Sequence, residues 1–287
     1  MENRFWSIRG ERLQKFFLLL PALVVVASLA IFPVGYSVIN SFLNFSLLRP
    51  QDAKFIGLRN YVDFLSHPNS WNAFKVTLII SGFAVAFEFL IGLMLALVLA
   101  REFAGCRFLR TLLALPIMIA PLAASIIWRI IYDNSFGILN YVAGSMGFRT
   151  PLWLGDPKLA PFSIGLIDIW QTTPFMMLLL IAGLQSIPLE LYEAAAVDGA
   201  TGVKTFIHIT LPSLKRAIMV ALMFRVMDAL CIFDTVFVLT GGGPGNATET
   251  LSVYCYKYGF RHFHMGFTSA ATIVFFRYHC FHSLPFG

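Results

Sequence analysis

Glu88, Asp168, Arg225, Asp228 and Asp234 each stand inside a long apolar stretch of a 287-residue chain that is 58% hydrophobic and only 13% charged. An ionisable side chain at hydrocarbon depth is costly, so it faces a bundle interior or a water-filled path and finds a partner there. Arg225 and Asp228 are spaced i, i+3, which lets them pair on one helix face. Gln171, Thr172 and Thr173 follow Asp168, and Thr235 follows Asp234, adding neutral hydrogen-bonding groups. Such groups, set beside aromatic faces like those of Trp170 and Phe233, are what a polyhydroxylated solute requires. Asp168, Gln171, Thr172, Asp228 and Asp234 are therefore the expected lining of a polar path. The competing expectation is that these residues only tie helices to one another.

No other constellation carries chemistry. Cys106, Cys231, Cys255 and Cys280 are scattered without a C-x-x-C pair, so neither a disulfide framework nor a metal site is expected. His262 and His264 alternate but have no third ligand in view. The glycine run Gly241–Gly245 lacks the lysine of a nucleotide-binding loop, and no G-x-x-x-x-G-K-[ST] occurs anywhere. The net charge of +6 includes no basic run of the kind that binds nucleic acid. Neither a catalytic centre nor a bound cofactor is expected.

The elements that hold the polar residues are membrane helices. A soluble domain has about 25% charged residues, and a helix needs about 20 apolar residues to cross the hydrocarbon. Apolar stretches run over about 15–42, 74–100, 111–132, 161–187 and 217–240, and a shorter sixth begins near Met265. The expected class is an all-α polytopic membrane protein with about six spans. Pro33-Val34-Gly35 should kink the first span, and Pro116 and Pro121 should bend or unwind the third. Arg4, Arg9, Arg12 and Lys15 precede the first span, Arg101, Arg107 and Arg110 follow the second, and Lys204, Lys215 and Arg216 flank the start of the fifth. The positive-inside rule then places residues 1–14 and the 188–214 segment in the cytoplasm. Residues 15–287 form the transmembrane domain, with a core of about 74–276.

The 188–214 segment is small, polar and helix-forming. Ser186 is the expected N-cap, with Pro188 just inside the helix. Asp198-Gly199 should stop that helix. A second helix over 201–210 should end at Leu211-Pro212. A row of alanines with one Glu and a sharp glycine turn suits another protein's groove better than a lipid surface, which calls for bulky and basic residues.

Glu193-Ala194-Ala195, Asp198-Gly199-Ala200, Phe206, Ile209 and Leu211-Pro212 resemble the EAA motif of binding-protein-dependent ABC importer permeases. Arg216 departs from the proline common there in carbohydrate permeases. The 240–251 stretch, with Phe224-Arg225, Asp228-Ala229 and Ile232-Phe233-Asp234, resembles the maltose, trehalose and glycerol-phosphate branch. The resemblance implies a type I importer fold in an inner membrane. It implies a second homologous permease, two separate ATPase subunits, an extracytoplasmic solute-binding protein and a sugar substrate. It makes Glu193, Ala194, Ala195, Asp198, Gly199, Ala200, Leu211 and Pro212 the ATPase-coupling element. Gly242, Gly243, Pro244 and Gly245 become the expected contact for the binding protein. The rival class is an ion-coupled secondary transporter using Glu88, Asp168 or Asp228. The 277–287 tail, with Arg277, His279 and His282, is atypical of such permeases and is expected to impair insertion of the last helix.

Overall fold

The computed structural model describes the backbone of residues 2–101 and 103–283, and the side chains of residues 17–101 and 103–275. The expectations for Arg4, Arg9, Arg12, Lys15, Arg277, His279, His282 and the end of the tail fall outside the described residues. Thirteen α-helices follow one another among those described, with no sheet. They are α1 (Glu2–Ser41), α2 (Arg59–Ser66), α3 (Pro68–Leu99), α4 (Cys106–Ala114), α5 (Pro121–Ile131), α6 (Ile138–Ser145) and α7 (Ala160–Gln185). Then come α8 (Leu189–Val197), α9 (Gly202–Thr205), α10 (Leu211–Leu230), α11 (Asp234–Leu239), α12 (Leu251–Tyr256) and α13 (Met265–Ser283).

The chain divides into two compact units. The first comprises Met1–Ser66 and Cys255–Cys280. In it, α1 runs as one helix with Pro21 and Pro33 inside it. Asn60 of α2 donates to the carbonyls of Ser41 (2.8 Å) and Leu43 (2.9 Å), which fixes the turn that leaves α1. Phe267 of α13 packs edge-on against Phe64.

The second unit, built on His67–Tyr254, holds the polar residues of interest. Pro68 opens α3, where its missing N–H costs nothing, and the His67 ring accepts from Asn69 N. Helices α3 and α7 lie close because glycine removes side chains at their contact. A Cβ on Gly92 would meet Met176 Cγ at 2.8 Å, and one on Gly165 would meet Phe83 Cδ1 at 2.6 Å. Gly183 does the same for α7 and α10, where a Cβ would lie 2.5 Å from that of Ala217. Lipid tails are as apolar as leucine, so close backbone approach of this kind supplies much of the attraction between membrane helices.

Among the described residues, three helices are long and apolar enough to span a membrane, over Phe17–Ser41, Pro68–Leu99 and Ala160–Gln185. A fourth candidate is α4 with its following turn plus α5, bent by 93° between them, which is the break expected from Pro116 and Pro121. The fifth stretch differs from expectation. It begins at Leu211, ends at Leu230, and resumes as α11 after Cys231–Phe233. The sixth is α13, whose described apolar part covers Met265–Phe275.

Candidate functional site

Two apolar clusters fill the second unit. One joins Val76 and Ile80 of α3 to Ile164 and Ile167 of α7 and Val236 of α11. The other joins Ala96 and Leu99 of α3 to Met176, Met177 and Leu180 of α7 and Ala221 of α10. Between them, the same three long helices bring a set of charges together.

Arg225 of α10 is at the centre, with 2% of its side chain exposed. Its Nε donates to Glu88 Oε2 at 2.6 Å and its Nη2 to Glu88 Oε1 at 2.9 Å, a forked pair with a carboxylate that is wholly buried in α3. The same Nη2 donates to Asp168 Oδ2 of α7 at 3.0 Å. Nη1 donates to Asp228 Oδ2, one turn further along α10. Thr172 of α7 donates its hydroxyl to Glu88 Oε1 (2.7 Å) or to the Asp168 carbonyl (2.6 Å). A planar fork of donors suits this work, and a lysine could not reproduce it. One guanidinium thus faces three carboxylates from three helices.

These carboxylates differ in their access to solvent. Glu88 is sealed, Asp168 is 14% exposed, and Asp228 is 72% exposed. Asp228 is therefore the outlet of the cluster, held on its inner side by Arg225 and open on the other. Asp234 is exposed at the start of α11. Arg129 of α5 is exposed and donates to the Val238 carbonyl of α11 at 3.3 Å.

Gln171 is placed differently from Asp228. It is buried, and its Nε2 donates to the Ile119 carbonyl at 2.7 Å. That carbonyl lies in the extended link of the broken α4–α5 pair, so Gln171 replaces a hydrogen bond lost where the helix opens. Thr173 donates back to Ile169 within its own helix. Trp170 meets Trp128 edge-on at 5.6 Å, and Phe233 stacks on Phe237 at 5.2 Å. Of the path residues expected from sequence, Asp168, Thr172 and Asp228 converge on Arg225. Gln171 supports backbone, and Asp234 stands apart at the head of α11. Glu88 was not among the path residues expected from sequence. Its one signal there was a lone carboxylate in an apolar stretch.

The segment between α7 and α10 is mostly exposed. Helix α8 ends with Gly199 at φ +69°, where Ala200 N bonds Ala195 O at 2.9 Å and Gly199 N bonds Ala196 O at 3.1 Å. This paired bonding satisfies the last carbonyls and needs a left-handed residue, so Asp198-Gly199 stops the helix as expected. Glu193, Ala194, Asp198 and Gly199 are exposed, Ala195 is buried and Ala200 half-buried. Tyr192 ties the segment to Thr210 through their hydroxyls at 3.2 Å.

Two expectations for this segment are corrected. Ser186 does not cap α8, because its hydroxyl donates to Gly183 at the end of α7 and Pro188 takes the cap position. Leu211-Pro212 does not end a helix. Residues Phe206–Thr210 form a wider π turn that runs directly into α10, absorbing the hydrogen bond that Pro212 cannot make.

The glycine run is folded on itself. Thr248 donates to the Gly243 carbonyl at 2.5 Å and meets Thr240 hydroxyl-to-hydroxyl at 2.7 Å, while Asn72 of α3 donates to the Asn246 carbonyl. Gly242 is buried, Gly243 and Pro244 are half-buried, and Gly245 is exposed.

A bundle of apolar helices joined around a buried ionic cluster, with an exposed helical knob between its fourth and fifth apolar stretches, is the architecture of a transport subunit. Residues 88–276 match the family described as the binding-protein-dependent transport system inner membrane component, and the chain belongs to that family. It is a membrane-embedded subunit of an ABC importer and not itself an enzyme. It is 40% identical over 261 residues to the trehalose/maltose transport system permease protein MalF of Thermococcus litoralis, covering 90% of this chain and 88% of that one. It is 37% identical over 271 residues to the sulfoquinovosyl glycerol transport system permease protein SmoG of Agrobacterium fabrum, covering 94% and 88%. Among solved structures, a bacterial ABC transporter that imports the acidic polysaccharide alginate superposes with a TM-score of 0.84 at 23% identity, over 98% of this chain and 96% of that one. That likeness establishes the type I importer fold.

Proposed function

We propose that this chain forms one half of the membrane path of an ATP-driven, binding-protein-dependent sugar importer, with its N-terminus in the cytoplasm. Its partners are a second, homologous permease, two ATPase subunits and an extracytoplasmic solute-binding protein. Lipid and the second permease cover the apolar surface of α1, whose side chains from 17 to 39 are mostly exposed. The observation that carries the reading is the exposed α8–Gly199–α9 knob outside the apolar helices. The chain has no nucleotide-binding loop of its own, so energy must enter where another subunit can grip it. Glu193, Ala194, Ala195, Asp198, Gly199 and Ala200 form that grip, and Leu211-Pro212 joins it to α10.

The sugar assignment rests on the named relatives and on the chemistry of the path. Asp228 and Asp234 offer exposed acceptors to sugar hydroxyls, and Asp168 and Thr172 reach the path through the Arg225 cluster. Gln171 acts behind the path by holding the broken helix open. Gly245 and the half-buried Gly243-Pro244 present the solute-binding protein with a small, pre-folded surface, for which Gly242 is the buried root.

The test is uptake of a labelled sugar panel into vesicles holding the assembled transporter, with binding protein outside and ATP within. Glu193→Lys and Gly199→Trp should abolish uptake while ATP hydrolysis and membrane insertion persist. Normal uptake by both variants would overturn the coupling role. Uptake without ATP would favour an ion-coupled carrier instead.

A further inference from the structure

A cleft at the junction of α3 and α4 has no part in the transport reading. It encloses about 480 Å³ and is lined by Phe103, Ala104, Gly105, Cys106, Arg107 and Arg110. Two of these six residues are cationic. Glu102, the nearest acid in sequence, lies outside the described residues. Arg110 is fixed in place, since its Nε donates to the Leu99 carbonyl at 2.9 Å and its Nη2 donates to the same oxygen. This leaves Nη1 for another acceptor. Arg107 is exposed, and its side chain makes no bond among the described residues.

The level of the cleft gives it meaning. The apolar run of α3 ends at Leu99, so the cleft opens where a span leaves the hydrocarbon. One wall of it is apolar, with Phe103 44% exposed. Aromatic and basic side chains together at this depth match the headgroup region, where rings sit among headgroups and arginine meets phosphate. A soluble anion would use the two guanidiniums but would leave the Phe103 ring in water.

We propose that this cleft is a binding site for the phosphodiester headgroup of an anionic membrane phospholipid. Arg107 and Arg110 hold the phosphate, and Phe103 lies along the acyl chains. Arg107 is the separable part of the site, because Arg110 also closes the end of α3.

The experiment uses the assembled transporter in detergent, with phosphatidylglycerol or phosphatidylcholine adducts counted by native mass spectrometry. The expected result is preferential phosphatidylglycerol binding that weakens about fivefold in Arg107→Gln, the factor that corresponds to about 1 kcal/mol for one cation at an anionic surface. Arg107→Lys should keep part of it, and Arg149→Gln, far along the sequence and outside the cleft, should keep all of it. Inorganic phosphate should not displace the lipid. Unchanged phosphatidylglycerol binding in Arg107→Gln, an equal loss in Arg149→Gln, or displacement by inorganic phosphate at matched concentration would each overturn the lipid site.

Discussion

The buried cluster makes a prediction about sign as well as size. Arg225 is the single cation among Glu88, Asp168 and Asp228. Arg225→Leu leaves a wholly buried Glu88 carboxylate with only the Thr172 hydroxyl as donor. Breaking a buried pair in this way costs about 3–5 kcal/mol, mostly through the charge left behind. Glu88→Gln is milder. Arg225 keeps Asp168 and Asp228, and the amide oxygen still accepts, so the loss is about 1–3 kcal/mol. Asp228→Asn costs least, about 0–1 kcal/mol, because that side chain is 72% exposed and water already screens it.

The combination of the first two changes decides the matter. If the damage in Arg225→Leu is an uncompensated carboxylate, then adding Glu88→Gln removes the offending charge and should recover part of the stability. Independent effects would instead add. The assay is unfolding of the permease, followed through a dodecyl sulfate titration of the detergent-solubilised transporter. A double variant less stable than Arg225→Leu would refute the reasoning. So would an Arg225→Leu variant as stable as Asp228→Asn.

Other outcomes follow from the packing and the turns. Gly92→Ala should cost about 1–3 kcal/mol in the same titration, because the new methyl meets Met176 and the Met177 backbone at 3.2 Å. Gly82→Ala on the same helix, with nothing within 4 Å, should stay within about 0.5 kcal/mol of the parent. Gln171→Leu should leave the Ile119 carbonyl without its donor, costing about 1–3 kcal/mol and lowering vesicle uptake more than Gln171→Glu, which keeps a side chain of the same length but must be protonated to donate. Gly199→Ala should strain the φ +69° turn by about 1–2 kcal/mol, read as faster proteolysis of the segment between α7 and α10, with membrane insertion unchanged.

Local signals in the sequence were the dependable ones. Pro116 and Pro121 each remove a backbone donor, so the bend was legible from two letters. Asp198-Gly199 announced a left-handed stop, and the i, i+3 spacing announced that Arg225 and Asp228 would pair. The misreadings arose where a distant group or a neighbouring turn competed. Ser186 has the chemistry of a cap for α8 but bonds backward to Gly183, since the two helices meet within three residues. Pro212 signals a stop, yet a wide turn before it lets the helix run on. The break at Cys231–Phe233 has neither glycine nor proline to mark it. There the Thr250 hydroxyl meets the Ile232 carbonyl at 3.2 Å, a bond formed across 18 residues. The contact of Glu88 with Arg225 crosses 137 residues, and no spacing rule reaches that far.

Why such a costly cluster should persist follows from what surrounds it. The apolar clusters on either side of Arg225 are built mostly from Ile, Val, Leu, Met and Ala. In a membrane such contacts distinguish one rotation or sliding of a helix from another only weakly, because lipid offers similar contacts. The glycines at 92, 165 and 183 bring the backbones close but do not by themselves choose a register. A forked arginine does, because Glu88 on α3 and Asp168 on α7 can both be met only when three helices share one alignment. Its value is then specificity more than stability. A Glu88→Leu, Asp168→Leu, Arg225→Leu triple variant, freed of the desolvation cost, should be about as stable as the parent yet lose uptake through loss of alignment. A triple variant that transported normally would show that the cluster does not set the register.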